Sequence, residues 1–125
     1  MIKKISTDKA PAAIGPYSQA LDTGNMLFIS GQIPIDPATG VMADTVEEQA
    51  KQVLTNIKNI LAEAGLSMND VVKTSVFLAD LGDFAKVNEV YASFFAEPYP
   101  ARSCVQVAAI PKGAKVEIET IAVRP

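Results

Sequence analysis

Between Val46 and Ala64 the residues Val46, Ala50, Val53, Leu54, Ile57, Ile60, Leu61 and Ala64 recur at helical spacing and form one apolar stripe. Both ends are punctuated. Thr45 followed by Glu48 has the pattern of a capping box, and Gly65 supplies a left-handed stop. Glu47, Gln49, Lys51, Lys58 and Glu63 are expected to face water. A helix with so wide a stripe must bury it against another layer, and that need constrains everything around it.

The flanking segments read as strands. Ile2 to Ser6, Tyr17 to Asp22 and Met26 to Gln32 precede the helix, with Thr23-Gly24-Asn25 as a hairpin-type turn and PIDPATG as a second turn. The segment DKAPAAIGP is expected to be a defined loop, because Pro11 and Pro16 cannot donate to a ladder. After the helix come a β-branched strand from Val71 to Leu78 and a second helix to about Phe95, with Asp83 expected as its cap. Phe84, Val87, Tyr91, Phe94 and Phe95 make the apolar face of that helix, and Asn88 lies beside them. Two strands close the chain, Ser103 to Ala109 and Lys115 to Val123, joined by IPKGAK. The expected order is β-β-β-α-β-α-β-β in a single domain spanning residues 1–125.

Both helices follow strands, so they are expected on one face of a sheet through right-handed crossovers. Yet Val71/Val72, Phe77/Leu78 and Ile121/Ala122/Val123 are apolar on both faces. One helical layer leaves the far face bare, which predicts a homo-oligomer packed through its sheets.

Composition narrows the chemistry. With 125 residues and 49% apolar content, a chain of this size buries roughly two-thirds of its surface around one core. The net charge is −3 and the basic residues are scattered, which disfavours a nucleic-acid groove. No stretch approaches a membrane span, and the N-terminus lacks the apolar centre of a signal peptide. One cysteine excludes an internal disulfide, so a soluble, cytoplasmic protein is expected. There is no histidine. Ser-His-Asp and Cys-His pairs, HExxH zinc sites and imidazole acid–base catalysis are therefore excluded, which leaves carboxylates, Arg, Tyr, hydroxyls and backbone groups.

Strand alternation puts Arg102, Cys104 and Gln106 on one face. Arg102 is either a solvated rim residue or a bidentate fork for a carboxylate. Cys104, without an activating histidine, is a small hydrophobe rather than a nucleophile, although its backbone groups could line a pocket. Glu117 and Glu119 share a face with Ile121 and Val123. They mark a sheet margin or, if partly buried, a group suited to proton transfer. Asn88 is either a satisfied core amide or a pocket residue. Tyr17, Ser30 and Gly31 lie in the first strands, and Gly31 suggests close approach of a ligand to backbone.

The stretches APAAIGPYSQA, ISGQIPIDPATG, DVVKTSVFLADLGDFAKVNEVY and YPARSCVQVAAIPKGAKVEIE together resemble the RidA/YjgF family of imine deaminases over essentially the whole chain. The resemblance implies a chorismate-mutase-like α+β fold and a homotrimer with sites between subunits. It implies hydrolysis of 2-iminobutanoate and 2-iminopropanoate, released by pyridoxal-phosphate dehydratases, to 2-oxo acids and ammonia, with no cofactor or metal. Carried over by position, Arg102 grips the substrate carboxylate, and the amides of Gly31 and Cys104 orient the same acid. Glu117 transfers protons, the Cys104 carbonyl positions water, and Tyr17, Ser30 and Asn88 shape the pocket. The connection AEPYPA is shorter than in some family members. Within this resemblance, two further roles remain as alternatives: a 2-oxo-acid-binding regulatory module, and an endoribonuclease or translation inhibitor.

Geometry adds one expectation. If the chain reverses between Ile110 and Lys115, Glu117 returns to the level of Ala108, on the order of 20 Å from Arg102 along the strand axis. The two would then share a small substrate only if they came from neighbouring chains.

Overall fold

The computed structural model describes residues 1–125. Its strands are β1 (Lys3–Ile5), β2 (Ala20–Asp22), β3 (Met26–Gln32), β4 (Val71–Leu78), β5 (Ala101–Gln106) and β6 (Val116–Val123); its helices are α1 (Val46–Glu63) and α2 (Phe84–Phe94). The expected order of elements is the order found. The strands form one mixed sheet in the order β1-β2-β3-β6-β4-β5. Every neighbouring pair is antiparallel except β4 and β5. This is the expected α+β architecture, with both helices packed over one side of the sheet.

The last two strands do not form a hairpin. Strand β6 inserts between β3 and β4, leaving β5 at the sheet edge. The side chains explain the preference. Val116, Ile118, Thr120 and Ala122 of β6 are all buried, whereas β5 has no buried residue. A strand with a fully buried face belongs in the centre, where both of its ladder edges are also satisfied. The parallel crossovers β3–α1–β4 and β4–α2–β5 carry the two helices.

Helix α1 supplies the largest part of the core: Val53, Leu54, Ile57, Ile60 and Leu61 are fully buried. Its cap is half of the expected box. Thr45 Oγ1 accepts the Glu48 amide at 3.2 Å, with no return bond from the Glu48 side chain. A reciprocal box forms instead at Ser67 and Asp70, where a short 3-10 turn leads into β4. Gln49 does not face water. It is 2% exposed, donates to Ala43 O at 2.8 Å and accepts the Lys115 amide at 2.8 Å. The start of β6 runs past this end of α1, so the amide satisfies backbone groups that no ladder reaches. Asn56 is likewise buried and donates to Ile33 O and Ile35 O, fixing the chain as it leaves β3. Beyond α1, Gly65 has φ 75, as its stop requires. Arg124 donates to Ala64 O and pairs with Asp22, tying the C-terminal segment and β2 to the helix terminus.

At α2 the expected cap is absent. Asp83 makes no side-chain cap bond, because a 3-10 turn over Leu81–Asp83 runs directly into the helix. Asp80, at the start of that turn, accepts the Gly82 amide at 2.8 Å.

The other side of the sheet carries no helix. Leu21, Phe28, Val105 and Val123 are exposed there, beside half-buried Phe77 and Ile121. No helix is long and apolar enough to cross a membrane.

Candidate active site

Arg102 lies inside β5, not before it, and pairs with Thr74 of β4. Thr74 is fully buried, so Arg102 points to the helix side of the sheet. There Arg102 Nη1 donates to Asn88 Oδ1 at 2.7 Å. The guanidinium carbon sits 4.8 Å from the centroid of the Tyr91 ring and 5.4 Å from that of Phe84. These contacts hold a planar cation by one edge and by its faces. No carboxylate partners it; the chain's one ion pair joins Arg124 and Asp22. A cavity of about 480 Å³ opens beside it, lined by Asn88, Tyr91, Ala92, Tyr99, Pro100 and Arg102.

Cys104, two residues on, shares this face and packs against the core. Burial pushes its thiol pKa up, opposed by the charge of Arg102. A thiol held protonated is a poor nucleophile. Its backbone is the more useful part. Val107 N–H donates to Leu78 O, so residues in phase with Val107, namely Val105 and Ser103, also turn inward. The N–H and C=O groups of Arg102 and Cys104 therefore face the free edge of the sheet.

Glu117 stands elsewhere. It pairs with Phe77 of β4 and points to the helix-free face, together with Glu119. Partial burial pushes its carboxyl pKa above the usual range, and the neighbouring Glu119 charge adds to the shift. The β3 strand is irregular opposite it, between Ile29 and Gln32. Gly31 lies in that irregularity: a Cβ there would sit 3.0 Å from Glu117 Cδ and overlap the carboxylate oxygen. Any larger residue there would displace the carboxyl group from this position. Ser30 donates its hydroxyl to Ser18 O at 2.6 Å, holding the segment that bears the exposed Tyr17. A depression of about 470 Å³ on this face is lined by Tyr17, Ser30, Phe28, Lys73 and Glu119 among others. It lies beside Glu117 rather than over it.

The sequence-predicted residues thus form two groups. Arg102, Cys104 and Asn88 gather at the β5 edge on the helix side. Tyr17, Ser30, Gly31 and Glu117 gather around the exit of β3 on the opposite side. The ladder corrects the separation expected from a β5–β6 hairpin. The levels of Arg102 and Glu117 are three residue steps apart on β4, about 10 Å along the strand, and two strand spacings lie across it. The obstacle to a shared substrate is the sheet itself, because the two side chains leave it in opposite directions. No three His, Cys, Asp or Glu side chains converge as a metal site. Sequence reasoning placed Tyr91 and Phe84 on an apolar helix face and missed their contact with Arg102. Their i, i+7 spacing beside Asn88 was the available signal.

Residues 7–124 match the family described as endoribonuclease L-PSP. The 2-iminobutanoate/2-iminopropanoate deaminase of Salmonella typhimurium is 57% identical over 127 residues, covering 99% of each chain. The Escherichia coli protein of the same name is 56% identical over the same span and coverage. The crystal structure of Escherichia coli TdcF with bound serine superposes with a TM-score of 0.95 at 55% identity, covering 98% of this chain and 99% of that one. The RidA structure from an Antarctic Psychrobacter gives the same TM-score and identity, with the same coverage. With its signature segments, its fold and its full-length relatives in agreement, this chain belongs to the RidA/YjgF family.

Proposed function

We propose that this protein hydrolyses small 2-imino acids, 2-iminobutanoate and 2-iminopropanoate, to the 2-oxo acids and ammonia in the cytoplasm. The sites form in clefts between the subunits of a homotrimer. The observation that carries this reading is the pair of incomplete clusters: a held, unpaired guanidinium on one side of the sheet and a carboxyl group with a raised pKa on the other. A neighbouring subunit would bring the second cluster to the first.

In this arrangement Arg102 takes the substrate carboxylate in a bidentate grip, while the amides of Cys104 and Gly31 orient it. The Cys104 carbonyl accepts a hydrogen bond from the attacking water. Water oxygen bonds to the imine carbon, and the π electrons of C=N move to nitrogen. Glu117 relays a proton from the added water to that nitrogen. The remaining hydroxyl then gives up its proton, through Glu117, to the amine nitrogen; as the C=O bond forms the C–N bond breaks and ammonia departs. The imine carbon is already electrophilic, so positioning and proton relay suffice without a covalent nucleophile. Tyr17, Ser30 and Asn88 shape the pocket.

The family description names an endoribonuclease, but the acidic net charge argues against strong RNA binding, which relies on phosphate neutralisation. A regulatory module that binds 2-oxo acids without turnover would need the same clefts. The deciding assay couples a threonine dehydratase to this protein and follows 2-oxobutanoate with semicarbazide as competitor for the imine. Wild type is expected to divert imine from semicarbazide, and Arg102→Ala is not. A wild type that diverts no imine would exclude the enzymatic reading, and equal diversion by Arg102→Ala would exclude the anchor role of Arg102.

A further inference from the structure

We infer that Tyr91 is a positioning residue for Arg102, holding the guanidinium through the face of its ring, and that Thr74 fixes that ring. The inference rests on the proposed role of Arg102 as carboxylate anchor. Thr74 is the direct ladder partner of Arg102 across β4 and β5. Its hydroxyl lies 2.7 Å from the Tyr91 hydroxyl, and both residues are buried. The Tyr91 ring is held from another side by Phe95, with centroids 4.5 Å apart and planes at 39°. Three groups thus close a small circuit: Arg102 lies over Tyr91, Tyr91 is tethered to Thr74, and Thr74 pairs with Arg102. Burial pushes the Tyr91 pKa up, so the tether stays a neutral hydroxyl pair across the working pH range.

The consequence concerns ligand binding. An arginine free to sample its rotamers must lose that freedom when it grips a carboxylate, and a guanidinium already held over a ring loses less. Asn88 takes one nitrogen and the rings cover the faces, leaving other N–H groups for a ligand. Phe84, on the rim, is too exposed to fix the cation alone.

The test measures calorimetric binding of 2-oxobutanoate, the stable product, alongside kcat and KM in the coupled assay. Tyr91→Leu is expected to weaken binding about tenfold and to raise KM more than it lowers kcat. Tyr91→Phe and Thr74→Val each keep the ring but cut its tether, so each should weaken binding about twofold to threefold, less than Tyr91→Leu, with the double variant no worse than either single one; wild-type affinity in Thr74→Val would overturn the part assigned to Thr74. Unchanged affinity in Tyr91→Leu would overturn the inference, as would equal losses in Tyr91→Leu and Tyr91→Phe. Should Tyr91→Leu fail to fold, proton NMR of the wild type decides: Arg102 side-chain resonances shifted upfield by the ring support the inference, and random-coil positions overturn it. If Arg102→Ala itself binds 2-oxobutanoate like wild type, the anchor role of Arg102 is what fails.

Discussion

Glu117 sits where a carboxyl group is costly to ionise, with partial burial as the main cause and Glu119 as the second. Its proton is bound more tightly in the folded protein than in the unfolded chain. That preference favours folding below the ordinary carboxylate range and is lost as pH rises through the raised value. Replacing it with a neutral isostere should therefore help stability at neutral pH. Glu117→Gln is expected to melt above wild type at pH 7, to show no such gain at pH 4, and to lose at least about a hundredfold in turnover. Equal melting differences at the two pH values would contradict the assigned cause. At this scale, alternation along a strand was enough to read which side chains share a face: Arg102 with Cys104, and Glu117 with Ile121. Contacts between elements were not readable. Gln49 looked like a solvent residue because its neighbour, the start of β6, lies 66 positions away in the chain. The bond from Tyr91 to Thr74 depends on a register that no local pattern encodes.

Elements were legible where periodicity was long and strong. Helix α1 begins where its stripe begins and ends one residue before the expected limit. The strands were less faithful. Tyr17 to Gln19 lie outside β2, held instead as a loop, with the buried Gln19 side chain donating to Thr7 O, Ala10 O and Pro11 O. Strand β5 starts two residues earlier and ends three earlier than its apolar run, because ladder pairing to β4, not composition, sets its limits. The order of strands was hidden for a similar reason: β6 follows β5 in the chain yet pairs with β3 and β4. One polar residue of α1 tests how elements are joined. Asn56→Ala leaves the carbonyls of Ile33 and Ile35 without that donor, and should cost about 1–3 kcal/mol in urea unfolding. A loss below about 0.5 kcal/mol would mean that this bridge does not hold the β3 exit.

At the scale of the whole molecule, the sheet separates what the proposed chemistry needs together. Arg102 opens onto the helix side at the β5 edge, and Glu117 onto the bare face beside Gly31. That face also exposes Leu21, Phe28, Val105 and Val123, an apolar surface that a second copy can cover. In a closed ring of three identical chains, each contact brings different surfaces of two subunits together, so one chain's Arg102 can meet another's Glu117 at every contact. The resemblance to a trimeric family was legible in the sequence; the physical reason that the proposed site would need neighbours was not, because it lies in strand order and side-chain direction. Mixing inactive Arg102→Ala and Glu117→Ala proteins, with subunit exchange demonstrated by mass spectrometry, tests this most directly. Random mixing should restore roughly a quarter of the sites, each built from one intact Arg102 and one intact Glu117. Exchanged trimers with no activity above either parent would contradict a site shared between chains.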